Sequence, residues 1–213
     1  MSIDRRSLFV AGLGATVAGA GLARSAFAQA PMAPVGPGSH VYHPGAGAEP
    51  FSNVELVRAA SGFFGAAAQD ISSIIERVAH DRGAEPTGYI AGTEVAGAVV
   101  VGLRYGKGEL YMKRHHRPES LEHVFWQGPS AGFDFGANAS RVFTLIYGIV
   151  DPADIFKRYP GVDGSFYVVG GFGVNYQRMG DITLAPIRAG VGGRAGANVG
   201  YLDYSRTRHV SPF

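Results

Sequence analysis

The chain of 213 residues carries 19 lysines and arginines against 17 aspartates and glutamates, a formal net charge of +2, and it contains no cysteine. A charge so close to zero excludes the strongly basic surface that nucleic-acid binding requires. The lack of cysteine excludes disulfides, thiol catalysis and thiolate metal sites. The length is sufficient for one domain with a substantial core.

The first 28 residues are predicted to be an export signal. Arg5 and Arg6 precede an apolar run over residues 10–23, and Ser-Ala-Phe-Ala follows at residues 25–28. This order is typical of a secretory signal with an A-x-A cleavage site, and paired arginines are typical of the twin-arginine type. The run is short for a membrane-spanning helix, which needs ~20 residues. We expect cleavage after Ala28 and a periplasmic protein that does not span the membrane; an ordinary signal or an uncleaved anchor is the alternative.

Cleavage would also change the charge. The signal contains three arginines and one aspartate, so the mature chain would carry 16 basic and 16 acidic residues. Residues 29–50 are rich in Pro and Gly, which hold neither a helix nor a paired strand, and they are predicted to form a flexible linker. The folded domain is predicted to span residues 51–213.

One long helix is predicted at the start of this domain. Apolar residues recur at spacings of three and four from Leu56 to Val78, which places them on one helix face. Gly62 and Gly65 interrupt the pattern, and each glycine costs about 1 kcal/mol in a helix relative to alanine. We therefore expect a kink or a break at this point.

Helix ends are also predicted from local sequence. Ser52 or Asn53 is the expected N-cap, with Glu55 in the first turn, where a carboxylate is favourable. Gly83 is the expected C-terminal stop. A second, short helix is predicted over Asp151–Tyr159, with Asp151 as its N-cap and a proline at its first position.

The rest of the domain is predicted to be mainly β. Short apolar runs with internal glycines recur after Pro86, and residues 106–108 (Gly-Lys-Gly) are predicted to form a tight hairpin turn. Glycines inside strands mark bends or close approach of another element. The predicted fold class is mainly β (α+β): a small closed or strongly curled antiparallel β-barrel of about eight strands, with the long N-terminal helix packed on it and the short helix.

Several sequence blocks resemble a known family. They lie at residues 89–94, 97–98, 102–106, 126–130, 132–134, 156–165 and 184–201. Through them the chain resembles the envelope-integrity protein A family over residues 51–213. The resemblance implies a periplasmic small β-barrel associated with resistance to cell-envelope stress, and it implies no catalytic residues.

A fainter similarity points to SYLF lipid-binding domains. It rests on residues 132–136 and 142–146 and on the glycine-rich segment 184–199. This similarity implies phospholipid binding, which would suit an envelope protein.

A dense basic cluster over residues 113–117 is the candidate ligand site. Guanidinium groups pair bidentately with phosphate or carboxylate, and nearby aromatic residues would provide apolar walls. The candidate ligand-binding residues are Lys113, Arg114, Arg117, Tyr105, Tyr111 and Trp126. The alternative is a solvated connection between two strands, closed by Pro118 and balanced by Glu119 and Glu122.

Catalytic and metal sites have weaker support. The letters Gly-x-Ser-x-Gly at residues 128–132 lack the strand-turn-helix context of a nucleophile elbow, and no His-Glu-x-x-His pattern suggests zinc. We expect no cofactor and no metal. A hydrolase remains an alternative if a deep cleft brings a histidine to a carboxylate; the candidates are His115, His116 and His123 with Glu94, Glu122 or Asp134.

These observations favour a non-enzymatic periplasmic protein that supports envelope integrity by binding a lipid, a glycan or an envelope protein. The alternatives are a SYLF-like phospholipid-binding domain, the envelope hydrolase, and a structural scaffold that docks another protein. Barrels of about eight strands have room for side chains or for one small ligand. A filled interior would favour recognition at the surface, whereas a hollow one would favour lipid.

Overall fold

A computed structural model of the chain describes residues 48–98, 101–114, 117–131, 134–162, 165–189 and 200–209. The predicted signal peptide and nearly all of the predicted linker lie outside these residues. The described part contains two α-helices, one 3₁₀ turn and ten strands, and every strand pair in it is antiparallel.

Two helices stand where the sequence predicts one long helix. They are α1 (Asn53–Phe64) and α2 (Ala68–Arg82). The chain breaks at Gly65, one of the two glycines expected to weaken the helix, which adopts a left-handed φ of 67° and caps α1. A residue with a Cβ rarely adopts this conformation, so the break follows directly from the glycine.

The predicted helix ends are confirmed. Ser52 accepts a hydrogen bond from the Glu55 backbone N–H, and the Glu55 carboxylate accepts one from the Ser52 N–H, a complete capping box. Gly83, with a φ of 62°, ends α2. The predicted short helix is a 3₁₀ turn, Pro152–Ile155, and Asp151 caps it through the Ala153 N–H at 2.8 Å.

The strands form one curled sheet. Their bounds are β1 (Gly88–Ala98), β2 (Val101–Arg114), β3 (Arg117–Ala131), β4 (Asp134–Tyr147), β5 (Arg158–Pro160), β6 (Tyr167–Val169), β7 (Phe172–Val174), β8 (Gln177–Met179), β9 (Ile182–Ala189) and β10 (Tyr201–Ser205). The hydrogen-bonded order is β5-β10-β3-β2-β1-β4-β9-β7-β6, and β8 also pairs with β9. The predicted curled antiparallel sheet is thus confirmed.

The curl brings two margins of the sheet together. Gly161, directly after β5, makes a single antiparallel bridge to Gln177 at the start of β8. The Val162 N–H also donates to the Tyr176 carbonyl at 2.9 Å. We call this junction the seam. Among the described residues, it joins the β5 end of the sheet to the β8–β9 side through far fewer hydrogen bonds than an ordinary strand pair.

Alternation along the strands builds two apolar cores. On β1, Tyr89 points outward beneath the helices and Ile90 points into the curl, as the pleat requires. The outer core joins α1 and α2 to β1, β4, β7 and β9 through residues such as Leu56, Ile74 and Phe143. The helices therefore cover the outside of the curl, and the interior has a core of its own.

The interior changes in character along its length. One part, which we call the aliphatic half, contains Ile90, Leu110, Met112, Ile146 and Leu184. Further along the same strands the inward-facing residues are charged: Glu94 on β1, Arg104 on β2 and Arg188 on β9. We call these three the charged cluster. Trp126, Tyr159 and Tyr204 are also buried in the interior.

The prediction of a hairpin turn at residues 106–108 is wrong, because β2 runs unbroken through these residues. Gly106 lies opposite Trp126 in the β2–β3 register. A Cβ on Gly106 would lie 2.0 Å from the Trp126 ring. The glycine is therefore required by the neighbouring indole, and the connection from β1 to β2 comes eight residues earlier in the chain.

Candidate functional site

A buried carboxylate organises the charged cluster. Glu94 is 2% exposed. Its Oε1 lies 3.0 Å from Arg188 Nε and 3.2 Å from Arg104 Nε. Its Oε2 accepts a hydrogen bond from the Trp126 indole N–H at 2.9 Å. Hydrogen bonds from Arg188 and Trp126 and an ion pair with Arg104 therefore hold the carboxylate from three other strands.

The two arginines set the protonation of this carboxyl. Burial disfavours the ionised form of Glu94, whereas Arg188 and Arg104, with the Trp126 N–H, favour it. The favourable interactions prevail, so the pKa of Glu94 lies below its ordinary value. An ionised carboxylate held by two guanidinium groups is poorly suited to accept or release a proton in catalysis.

Close packing fixes the Trp126 ring beside the cluster. A Cβ on Gly92 would lie 2.7 Å from the indole, and a Cβ on Gly106 would lie even closer to it, at 2.0 Å. The Tyr204 ring lies with its centroid 6.0 Å from that of Trp126, and the Tyr159 ring packs edge-on to Tyr204 at 5.5 Å. Side chains of the described residues thus fill this part of the interior.

A cleft opens beside the charged cluster, at the seam. It is shallow, with room for about one water molecule. Its lining residues come from both sides of the seam and from β2 and β3: Arg104, Pro129, Gly161, Asn175, Gln177, Gly200, Tyr201 and Leu202. We call it the seam cleft. Through Arg104 it is in direct contact with the charged cluster.

Two amide groups of the seam cleft have unused hydrogen-bonding capacity. Asn175 and Gln177 are each 3% exposed. Asn175 Oδ1 accepts a hydrogen bond from Arg188. Asn175 Nδ2 and Gln177 Oε1 have no hydrogen-bond partner within the described part of the chain. A buried donor and a buried acceptor are therefore present at the same cleft.

Lys113, predicted to bind a ligand, lies near the end of β2 and contacts the start of α1. Its Nζ is 2.8 Å from Glu55 Oε2 and 3.8 Å from Glu49 Oε1, and it lies 5.2 Å from the centre of the Phe51 ring. Burial disfavours ionisation of Glu55, but Lys113 and the Ser52 hydrogen bonds outweigh it and lower the pKa of Glu55 to about 2. These contacts attach α1 to β2.

The other basic candidates lie at the β2–β3 hairpin. Arg114 and Arg117 face each other in the strand register, and their side chains lie outside the described part. His115 and His116 lie between them, also outside it. Their predicted roles stay predictions.

Two of the three aromatic candidates lie close together. Tyr105 and Trp126 both line a shallow groove with Phe125, whereas Tyr111 stacks on Tyr89 with ring centroids 4.9 Å apart. Tyr105 and Lys113 are separated by eight residues of β2, about 26 Å. The structure thus does not bring the six predicted residues together into one site, and ligand binding by any of them stays a prediction.

The hydrolase alternative needs a histidine beside a carboxylate in a cleft. The His123 side chain is 81% exposed, and its Nδ1 lies 3.8 Å from Glu109 Oε1 on the outer face. Glu94 points into the interior, and Glu122 pairs with Arg206 at 3.5 Å. Among the described residues, therefore, no predicted histidine meets the carboxylates that this mechanism requires.

Two further features are absent from the ranges that the structure describes. No group of three or more His, Asp or Glu side chains there has an arrangement suited to a metal ion. No helix in the same ranges is long and apolar enough to cross a bilayer.

The sequence predicts part of this site. It makes Glu94 a candidate carboxylate, but the partners of Glu94, Arg104 and Arg188, lie ten and 94 positions further along the chain. An arginine at an inward-facing position of an alternating strand was the available signal for Arg104. Asn175 and Gln177 carry no comparable local signal, because the seam that brings them to the cleft is a long-range contact.

The fold and the site together define a barrel-like antiparallel β domain with a filled interior, an internal ionic cluster and two covering helices. Residues 49–213 match the family described as Envelope integrity protein A, and the chain belongs to this family. It is also similar to the crystal structure of a beta-barrel-like, uncharacterized protein from Brucella abortus, with 41% identity and a TM-score of 0.66 over 77% of this chain and 99% of that one. No curated protein matches the chain significantly.

Proposed function

We propose that this protein is an exported, non-catalytic domain that maintains the cell envelope by binding an envelope component at its surface. The family match over residues 49–213 carries the proposal, since the family is described by envelope integrity. The predicted signal, with Arg5 and Arg6 and an expected cleavage after Ala28, supports a periplasmic location. The predicted flexible linker would then tether the domain that follows it.

A binding role agrees with the chemistry of the interior. The carboxylate of Glu94 is held ionised by two arginines, and His123 lies exposed on the opposite face of the sheet. A buried ion pair of this kind is suited to holding strands in place and poorly suited to proton transfer. Both observations favour ligand binding over catalysis as the role of this protein.

Recognition at the surface is favoured over a lipid enclosed in the barrel. The interior is occupied by Trp126, Tyr204 and the aliphatic side chains around them. An acyl chain needs a continuous apolar channel, and the described interior has side chains in that volume. The ligand classes that the surface can recognise are a glycan, a lipid headgroup or an envelope protein.

Deletion of the gene in the source bacterium tests this proposal. We expect the deletion strain to become more sensitive to deoxycholate and to a cell-wall antibiotic, and the full-length gene to restore resistance. A variant with Arg5→Lys and Arg6→Lys, which removes the paired arginines of the predicted signal and leaves the domain unchanged, should fail to restore it. Unchanged sensitivity of the deletion strain would refute the envelope role.

A further inference from the structure

One part of the outer surface of the sheet lies outside the core that the helices cover. That outer core includes Tyr89 at the start of β1 and borders Tyr111 on β2. Further along β1 and β2, and on β3 and β10, the outward-facing residues belong to neither apolar core. Each of them is at least partly exposed. We call this surface the open face, and its residues are Val95, Leu103, Tyr105, Lys107, Phe125, Pro129, Tyr201, Asp203 and Ser205.

The strand register brings the side chains of the open face together. Val95 lies opposite Tyr105 in the β1–β2 pair. Lys107 lies opposite Phe125, which in turn lies opposite Ser205 on β10. Neighbouring strands are about 4.8 Å apart, so the open face is one continuous surface about 14 Å wide from β1 to β10.

Most of the open face is apolar or aromatic. Val95 is 46% exposed, and Leu103, which lies opposite Pro129, is half-buried. Tyr105 and Phe125 line the shallow groove described above. A contiguous exposed patch of aliphatic and aromatic side chains is typical of an interaction surface.

Two exposed cations lie beside this patch. In the part of the chain that the structure describes, neither Lys107 nor Arg208 forms an ion pair. Lys107 lies opposite Phe125, and Arg208 lines the groove that Phe125 and Tyr105 form. Side chains of this type can lay their apolar stems along the patch and present the charge at its margin.

The acids near the patch already have partners. Asp203 Oδ2 lies 3.7 Å from Arg158 Nη2. Glu109, two positions beyond Lys107 on β2, accepts a hydrogen bond from the Tyr111 hydroxyl at 2.9 Å. The open face therefore has an excess of positive charge and suits an anionic partner. A second copy of the chain would bring the same cations against each other, so charge disfavours it as the occupant.

We infer that the open face docks the domain on an anionic phospholipid bilayer. Its aromatic and aliphatic side chains enter the boundary between headgroups and acyl chains, where such groups are favourable. Lys107 and Arg208 bind the lipid phosphates. An acidic glycan would satisfy these cations but would gain little from Val95 and Leu103. The inference rests on the proposed function, because it names the envelope component that the domain recognises.

Vesicle co-sedimentation tests the charge requirement. We expect the mature chain, residues 29–213, to bind phosphatidylglycerol vesicles at least about tenfold more tightly than phosphatidylcholine vesicles. The double variant Lys107→Gln, Arg208→Gln should lose most of this preference. The matched control Arg58→Gln, Arg178→Gln removes the same charge from two exposed arginines outside the open face, and it should bind as the wild type does. Absent binding, equal binding to both vesicle types, or equal losses in the two double variants would overturn the inference.

A fluorescent label tests the apolar contact. The chain contains no cysteine, so Val95→Cys accepts a single environment-sensitive dye on the open face. Val54→Cys is the matched control, because Val54 is 67% exposed in α1, outside the open face. Phosphatidylglycerol vesicles should shift the emission of the Val95 label to the blue and leave that of the Val54 label unchanged. An unchanged Val95 label, or equal shifts at the two positions, would overturn insertion of this face.

The same label reports on other occupants of the open face. A blue shift of the Val95 label that grows with protein concentration in the absence of vesicles would identify a second copy. A shift caused by alginate, an acidic polysaccharide, but not by vesicles would identify a glycan. Either result would overturn the assignment of a lipid bilayer.

Failure of this inference and failure of the proposed function give different results. If the deletion strain is sensitive but the chain does not bind anionic vesicles, the bilayer assignment fails and the envelope role stands. If deletion causes no sensitivity, the envelope role fails whatever the vesicle experiments show. Loss of both vesicle binding and resistance in Lys107→Gln, Arg208→Gln, with the control variant intact, supports both.

Discussion

The two halves of the interior are held by different physics. In the aliphatic half, Ile90, Leu110 and Leu184 exclude water from one another, and such contacts are non-directional and roughly proportional to buried area. In the charged cluster, Glu94 is fixed by hydrogen bonds from Arg188 and Trp126 and by an ion pair with Arg104, at distances of 2.9–3.2 Å. Its arrangement depends on each partner being present. The comparison teaches that the aliphatic half tolerates a gradual loss of apolar contacts, whereas the charged cluster does not tolerate the loss of a partner.

Removing the carboxylate should have the largest effect. Glu94→Gln leaves Arg104 and Arg188 buried without their counter-charge, and we expect the free energy of unfolding to fall by about 3–5 kcal/mol. Denaturant unfolding at pH 7 measures it. The combined replacement Glu94→Leu, Arg104→Met, Arg188→Met should lose much less, since it leaves no isolated charge. If Glu94→Gln were as stable as the wild type, the contrast between the charged cluster and the aliphatic half would be wrong.

A cavity in the aliphatic half should cost somewhat less. Leu110 is fully buried, and Leu110→Ala should lower the free energy of unfolding by about 2–4 kcal/mol, with part of the loss depending on how far the neighbours relax. Val95→Ala, at a position 46% exposed on β1, is the control and should change stability by less than about 0.5 kcal/mol. Urea unfolding of both variants is the measurement; equal losses would contradict the burial described.

A methyl group added beside the Trp126 indole tests how tightly this ring is packed between the two halves of the interior. Gly106→Ala forces the Trp126 ring to move from a position 2.0 Å from the new Cβ, and we expect a loss of about 1–3 kcal/mol. Gly62→Ala in α1 is the matched control, since a Cβ there meets nothing within 4 Å, and it should stabilise by up to about 1 kcal/mol. Thermal unfolding compares them. A neutral Gly106→Ala would show that the indole is free to shift.

The smallest effect concerns the partly buried ion pair of Lys113 and Glu55. Lys113→Met removes the partner of Glu55, a carboxylate that is about one-third exposed, so the loss at pH 7 should be at most about 1 kcal/mol. The pKa of Glu55 is about 2 in the folded protein against 4.5 ordinarily. The ion-pair contribution is thus present above pH 4.5 and is lost as the pH falls toward 2.

Unfolding curves at several pH values measure this contribution. The difference in stability between the wild type and Lys113→Met should shrink between pH 4.5 and pH 2 and keep only the part that comes from contact with the Phe51 ring. A difference that is constant over this interval would show that the ion pair contributes nothing.

Local rules predicted much of this fold. The capping box of Ser52 and the stop at Gly83 depend on residues within one turn, and the inward and outward alternation of the strands follows from the pleat. The local rule that predicts a turn at Gly-Lys-Gly is wrong at Gly106, because the glycine there leaves room for the Trp126 ring, which is 20 positions away in the chain. Sequence alone does not distinguish a glycine that packs against a distant aromatic ring from a glycine in a turn.

The site was harder to predict for the same reason. The basic neighbours of Lys113 in sequence predict a ligand-binding cation, yet its nearest acid is Glu55, on a different element. The sequence makes Glu94 a candidate catalytic carboxylate, and no local pattern reveals its partner Arg188, which lies 94 positions away. Charges acquire their roles from partners that only the folded sheet brings near.

The seam also has a consequence for motion. It is closed by the Gly161–Gln177 bridge and the Val162–Tyr176 hydrogen bond, whereas β2 and β3 pair along nearly their whole lengths. Local opening costs least where the fewest hydrogen bonds must break. The amide of Val162 should therefore exchange with deuterium sooner than those in the middle of β2. We expect the barrel to open first along the seam, and the seam cleft lies on that line.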